Sequence, residues 1–285
     1  MKRFKINDLG GLFPNIVVLV LLLLWAIVLM YPVFWLVMSS FKPSNLVRSR
    51  IFDLPKTLYL GNYNFRHFND QGITLLVYMR NSAAVTAVSL TMLMICSSLA
   101  AFGIAKLRVP GKNTLVVILL GLIGIPVHAL MIPIFYFFVN LGMVNNYWGL
   151  ILPYVAFNVP FSTIVLQTYF RQFPNELIDA AKIDGCTTMA TFLQVVIPIS
   201  LGAISSVLVV SFLSIWNEFL FSLVMMRDNA AKTLPVGLMG FKGRYVVEWG
   251  PMMAALVLAI VPSLLIYAIF NRNLLKGISA GAIKE

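Results

Sequence analysis

Glu176-Leu177-Ile178-Asp179-Ala180-Ala181-Lys182-Ile183-Asp184-Gly185 is a short polar island between two long uncharged runs. Nine residues separate its glycine from Val195-Val196-Ile197-Pro198. The runs around it decide the fold. No charged residue stands between Lys112 and Arg171 on one side of the island, or between Asp184 and Glu218 on the other. The same holds between Asp8 and Lys42, Arg80 and Lys106, and Glu248 and Arg272. A helix needs about 20 apolar residues to cross the hydrocarbon core of a membrane. Four of the gaps hold one crossing each. The gap from Lys112 to Arg171 holds two, hinged at the polar segment 140–146. The predicted spans are 13–38, 82–105, 114–139, 148–169, 198–220 and 250–270. The period-two alternation of a membrane β-barrel is absent.

Composition agrees. The 285 residues are 60% hydrophobic and only 11% charged, against about 25% charged in a soluble domain. An all-α membrane protein of six transmembrane helices is expected, with residues 1–285 as a single transmembrane domain. The first span follows Lys2, Arg3 and Lys5 and is longer than the ~7–15-residue apolar core of a signal peptide, so it reads as an uncleaved first helix. The basic N-terminus places that end inside, and six crossings return the C-terminus to the same side. Basic residues divide almost evenly between the two faces, so orientation rests on the shorter inside loops and on the first helix. Segments 42–80 and 227–249 then fall outside the cell and 171–190 in the cytoplasm. The net charge of +11 reads as anchoring to anionic lipid. Cys96, within a span, and Cys186, in a cytoplasmic loop, read as inert thiols.

Several chemistries lack their parts. The two histidines, His67 and His128, lie far apart, and no His-Glu-x-x-His or Cys/His cluster offers a metal site. No phosphate-binding P-loop occurs. The nearest Gly-Lys pair, Gly111-Lys112, lacks the upstream glycine and is followed by Asn113. An enzyme is therefore not expected, nor a cofactor held by this chain. A carrier coupled to protons or sodium usually keeps ionisable groups at mid-membrane. Only Glu218 approaches that description, near the outer end of the fifth span, and Trp216-Asn217-Glu218-Phe219 reads as an interfacial belt. No energy source is evident within the chain.

The island supplies a way to receive energy. Pro174 suits the first turn of a helix, and Glu176 and Asp179 place carboxylates at its positive end. Leu177, Ala180 and Ala181 fall at i, i+3 and i+4, as one small apolar face that lets a partner approach closely. Gly185 is a C-terminal stop, and Thr187 or Thr188 caps a following helix that runs through Phe192 toward Pro198. A push on this short helix would move the fifth span.

The order Asp179-Ala180-Ala181, Gly185, Val195-Val196-Ile197-Pro198 resembles the EAA loop of binding-protein-dependent ABC importer permeases, with Asp for Glu, Val for Ile and Ile for Leu. Asp184 before the glycine also fits; Cys186 replaces the usual alanine after it. The likeness extends through Tyr31-Pro32-Val33-Phe34-Trp35, the exit Ser39-Ser40-Phe41-Lys42-Pro43, Asn81-Ser82, Gly111-Lys112-Asn113, Ile125-Pro126 with Ile132-Pro133, and Tyr147-Trp148-Gly149-Leu150. It continues through Trp216 to Phe219, Thr233 to Leu238, and Gly277 to Lys284. Together these resemble the six-span partner of the maltose-type carbohydrate branch.

The resemblance implies the type I ABC importer permease fold in a bacterial or archaeal cell (inner) membrane. It implies a second permease subunit, two ATPase subunits that bind ATP and Mg, an extracytoplasmic solute-binding protein, membrane lipid and no nucleic acid. Glu176, Asp179, Ala180, Ala181, Asp184 and Gly185 would meet the ATPase. His128, Asn158, Ser162, Asn217 and Glu218 are the polar groups placed to line a pathway, although polar groups in spans more often knit helices together. Pro126, Pro133, Pro153, Pro160 and Pro198 are hinges or kinks. The outer segment 227–249, with Pro235, Gly237, Gly240 and Gly243, reads either as a flexible contact for the binding protein or as a connector. The expected solute is a sugar or oligosaccharide. Glycerol phosphate or an anionic saccharide is the alternative, and a self-sufficient channel or secondary carrier is the rival from another class.

Overall fold

Leucine, valine and isoleucine fill the runs between charges, and those runs are helical. The computed structural model of the protein describes residues 9–64, 74–241 and 248–282, with side chains described for 16–64, 74–241 and 248–270. Lys2, Arg3, Lys5, His67, Gly243 and Lys284 lie outside the described residues. No strand occurs among those described. By packing, the chain divides into two compact units, Met1–Asn64 with Phe241–Leu258, and Phe65–Gly240 with Ala259–Glu285.

In the first unit, α1 (Leu9–Ser40) carries apolar residues around its whole circumference, and every described side chain from Ile16 to Phe34 is exposed. A helix hydrophobic all round needs an apolar surrounding. Its far end is tied down. Helix C-termini leave carbonyls without partners, and here Asn62, itself buried, donates through Nδ2 to the Ser40 and Lys42 carbonyls, both at 2.7 Å. The Ser40 hydroxyl meets Tyr63 Oη at 2.6 Å. Lys42 is buried in turn and donates to the Arg50 and Ile51 carbonyls at 3.1 and 3.2 Å. The short α2 (Ser44–Ser49) follows Pro43 as its N-cap. The exit motif Ser39 to Pro43 is thus a hydrogen-bonded knot.

The second unit is built on α3 (Leu75–Lys106) and α6 (Trp148–Arg171). One core cluster joins Val85 and Leu93 to Leu150, Ile151 and Tyr154, and another joins Ala101 and Phe102 to Leu166 and Phe170. Early residues meet early residues and late meet late, so the two helices run in parallel. Asn81 Nδ2 donates to the Ala230 and Lys232 carbonyls at 2.8 and 3.0 Å, and Ser82 Oγ accepts from Leu234 N at 2.7 Å. A Cβ on Gly237 would collide with the Tyr78 ring. The described part of segment 227–249 is therefore packed down, with Leu234 and Val236 buried.

Among the described residues, four helices are long and apolar enough to cross a membrane: Ile16–Ser40, Leu75–Lys106, Trp148–Arg171 and Trp249–Phe270. The last belongs to a helix extending from Trp249 to Ala282. Where the third and fifth spans are predicted, the chain forms two bent helix pairs instead of straight helices. In the third, α4 (Lys112–Ile123) meets Val127–Asn140, which contains α5 (Met131–Asn140), at 85°. The break falls at Gly124-Ile125-Pro126, where proline lacks an N–H and pushes the preceding residue out of the helical region. In the fifth, Thr188–Ile199 meets α10 (Leu201–Trp216) at 78° across Ser200. Pro198 stands two residues before that break, and a π-helical turn, Phe192–Val196, precedes it. Pro153 and Pro160, by contrast, lie inside a continuous α6, and Pro133 sits in the first turn of α5.

Candidate functional site

Two places carry chemistry, both in the second unit. The first is the island itself. It forms α7 (Asn175–Ile183) with Pro174 as N-cap, one residue earlier than the first-turn position expected for it. The C-terminus closes through paired bonds, Gly185 N to the Lys182 carbonyl at 3.0 Å and Cys186 N to the Ala181 carbonyl at 2.9 Å. This pattern requires a left-handed residue after the last turn, and Gly185 supplies it with φ +82°. Thr187 then caps α8 (Thr188–Thr191), its hydroxyl accepting from Ala190 N at 3.2 Å. The polypeptide continues through the π-turn, α9 (Ile197–Ile199) and Ser200 into α10. Ser200 donates from Oγ to the Val196 carbonyl at 2.5 Å, beside its own N–H on the same oxygen at 3.1 Å.

The faces of α7 differ from the expected grouping. Ala181 is buried and Ile178 half-buried, so the i, i+3 pair Ile178/Ala181 seats the helix on its own chain. Leu177 is 44% exposed and Ile183 87% exposed. Glu176, Asp179, Ala180, Asp184 and Gly185 are exposed with them. Asp179 pairs with Lys182 at 3.4 Å, both exposed; such a surface pair contributes about 0–1 kcal/mol, and leaves Asp179 open to a stronger partner. Of the six residues singled out, five lie on the open surface and Ala181 does not.

The second place is a cavity of about 410 Å³ beside Val127 and His128, between α4 and α5, and the end of α10. Among its lining residues are His128, Tyr154, Phe157, Asn158, Asn217, Glu218 and Phe219. Glu218 lies between α10 and α11 (Leu220–Met225). Its carboxylate accepts from Tyr154 Oη at 2.5 Å, Phe221 N at 2.8 Å and Ser222 N at 3.3 Å. Glu218 thereby caps α11 and ties it to α6. Asn158 donates to the Tyr154 carbonyl at 2.7 Å, and Asn217 to the Leu213 carbonyl at 2.9 Å. One N–H and the carbonyl oxygen of each amide remain beyond those bonds. Ser162 does not join the cavity; it is buried, 3.5 Å from Ser211 Oγ across the α6–α10 contact. Trp216 is likewise no interfacial belt residue. It is buried, stacks on Phe212 with centroids 5.6 Å apart, and donates to the Ala259 carbonyl at 3.0 Å. Tyr154 was not singled out by the sequence reading, although its i, i+4 spacing to Asn158 was the available signal.

The family model described as binding-protein-dependent transport system inner membrane component matches residues 93–280. That range holds α7 and every cavity residue named above. The chain belongs to this family. The permease is 34% identical over 265 residues to the trehalose/maltose transport system permease protein MalG of Thermococcus litoralis, covering 92% of this chain and 94% of that one. It is 32% identical over 266 residues to the diacetylchitobiose uptake system permease protein NgcG of Streptomyces coelicolor, covering 93% and 87%. Its fold matches a chain of a bacterial ABC transporter involved in import of the acidic polysaccharide alginate, with TM-score 0.81 and 21% identity over 94% of the permease and 99% of that chain. The permease is a multi-pass membrane protein of an ABC import system.

Proposed function

We propose that the permease forms part of the solute pathway of an ATP-driven saccharide importer. The observation that carries the solute class is the near full-length likeness to permeases named for disaccharide uptake. The cavity suits that class. The rings of Phe157 and Phe219 offer apolar faces, and His128, Asn158 and Asn217 offer hydrogen bonds. Glu218 places a carboxylate there and disfavours an anionic solute.

In this reading residues 1–285 act as one permease domain. The two bent pairs count as one span each, giving six spans with both termini cytoplasmic, in a bacterial or archaeal cell membrane. The exposed surface of α7 docks an ATPase subunit within the cytoplasmic segment 171–190. ATP and Mg are bound by two such subunits, and a second permease completes the pathway. A solute-binding protein delivers the saccharide from outside, where 42–80 and 227–249 lie. Closure of the ATPases pushes α7, and the push passes through α8 and the π-turn to the bend at Ser200.

The test is uptake into proteoliposomes carrying the permease with its partner permease, ATPase and binding protein. Labelled trehalose, maltose and diacetylchitobiose are compared with glycerol 3-phosphate, a uronic-acid disaccharide and methionine. ATP-dependent uptake of a neutral saccharide is expected. Uptake confined to the anionic solutes would overturn the solute class, and transport by the permease alone without ATP would replace the importer by a channel or carrier.

A further inference from the structure

We infer that Lys106 is a positioning residue of the docking helix, tying its entry to the end of α3 so that motion of α7 reaches α3 as well as α10. The inference rests on the docking role of α7. Lys106 is the last residue of α3. Its ammonium bonds to no carboxylate, although Glu176 stands close enough to act on its charge. It donates to the Phe173 carbonyl at 2.6 Å and to Asn175 Oδ1 at 2.9 Å. Phe173 ends the connection from α6, and Asn175 opens α7. The residue between them is Pro174, which has no N–H to offer, and the ammonium spans it by bonding to the residue on either side. Bonds from an ionised donor are roughly twice as strong as neutral ones.

A second contact holds the far side of the docking segment. Phe102, one turn before Lys106 on α3, packs against Phe192 of the π-turn with ring centroids 5.0 Å apart. The same helix therefore grips the chain before α7 and after α8. At its other end, Asn81 and Ser82 hold the segment 230–234. α3 is thus one continuous helix bound to the docking segment at one end and to the packed outer segment at the other. A charge set only to fix membrane orientation would need none of this geometry, and neither would a lipid anchor.

The experiment uses the assembled transporter in lipid nanodiscs, with Cys96 and Cys186 replaced by serine and a single reporter, Asn217→Cys, in the cavity. Vanadate trapping of ADP reports closure of the ATPases. The rate of reporter labelling by a maleimide reports the response of the spans. In the reporter background, ATP with vanadate is expected to change the labelling rate. Lys106→Met is expected to trap vanadate as the background does while shrinking that change by about two- to thirtyfold. Lys106→Arg restores it, and Asn175→Ala shows a smaller loss of the same kind. Equal labelling responses in background, Lys106→Met and Asn175→Ala would overturn the inference. If Lys106→Met fails to assemble, Asn175→Ala and Lys106→Arg decide: a full response in the first, or assembly without response in the second, overturns it. A background that neither traps vanadate nor changes its labelling removes the docking role itself, and the inference with it.

Discussion

The three bonds that end on the Glu218 carboxylate make it a structural acceptor before it is anything else. Replacing it by alanine strands the Tyr154 hydroxyl and the Phe221 N–H, and each unsatisfied buried donor costs roughly 1–3 kcal/mol. Water in the adjoining cavity lowers that figure toward its smaller end. Glu218→Gln keeps one acceptor oxygen and loses less. Tyr154→Phe removes one donor and leaves both backbone bonds, at about 1 kcal/mol. In a double-mutant cycle the two sites share a partner and are expected to be non-additive, with Tyr154→Phe costing little once Glu218 is alanine. Thermal unfolding of the purified assembly, followed by tryptophan fluorescence, checks this; simple additivity would remove the pairing. At this scale the sequence spoke unevenly. Gly185 and Thr187 were legible because a positive φ and a helix cap each favour few residue types. Tyr154 and Lys106 were not, since their partners are 64 and 67 residues away along the chain, and the i, i+4 spacing of Tyr154 to Asn158 does not point to Glu218.

At the scale of elements, the bend across Ser200 lies on the proposed route from α7 to the pathway. Pro198 withholds the N–H that would bond the Gln194 carbonyl, and a proline in a helix interior costs ~3 kcal/mol. Pro198→Ala restores that donor and lets Thr188 to Trp216 approach a single helix. Slower hydrogen exchange across 192–201 and slower ATP-dependent uptake are expected together. Unchanged exchange would mean that tertiary packing, not proline, sets the 78° bend. Spans were readable as gaps between charges because charge is costly in hydrocarbon. Bends were not readable, because proline alone does not decide them. Pro126 and Pro198 stand at breaks, while Pro153 and Pro160 sit in an unbroken α6. The neighbours that choose between these outcomes belong to other elements. The same limit governs α7, where helical spacing grouped Leu177, Ala180 and Ala181 but packing selected Ile178 and Ala181.

For the whole molecule, orientation decides whether α7 can meet an ATPase at all, and basic residues spread over both faces leave it weakly specified. The six-span reading, with the N-terminus inside, assigns Ile183 to the cytoplasm and Phe52 to the outside. Both side chains are open to reagents, at 87% and 80% exposure. In the background lacking Cys96 and Cys186, Phe52→Cys is expected to react with a membrane-impermeant maleimide in intact cells. Ile183→Cys is expected to react only after the membrane is opened. Neither substitution disturbs a buried contact, so the labelling reports sidedness rather than misfolding. The opposite pattern would put α7 outside, where no nucleotide-driven partner can reach it, and would withdraw the docking helix while leaving the helical fold intact. Reaction of both residues from outside would instead reduce the number of crossings between them, and would make at least one bent pair a re-entrant loop that returns to the face it left.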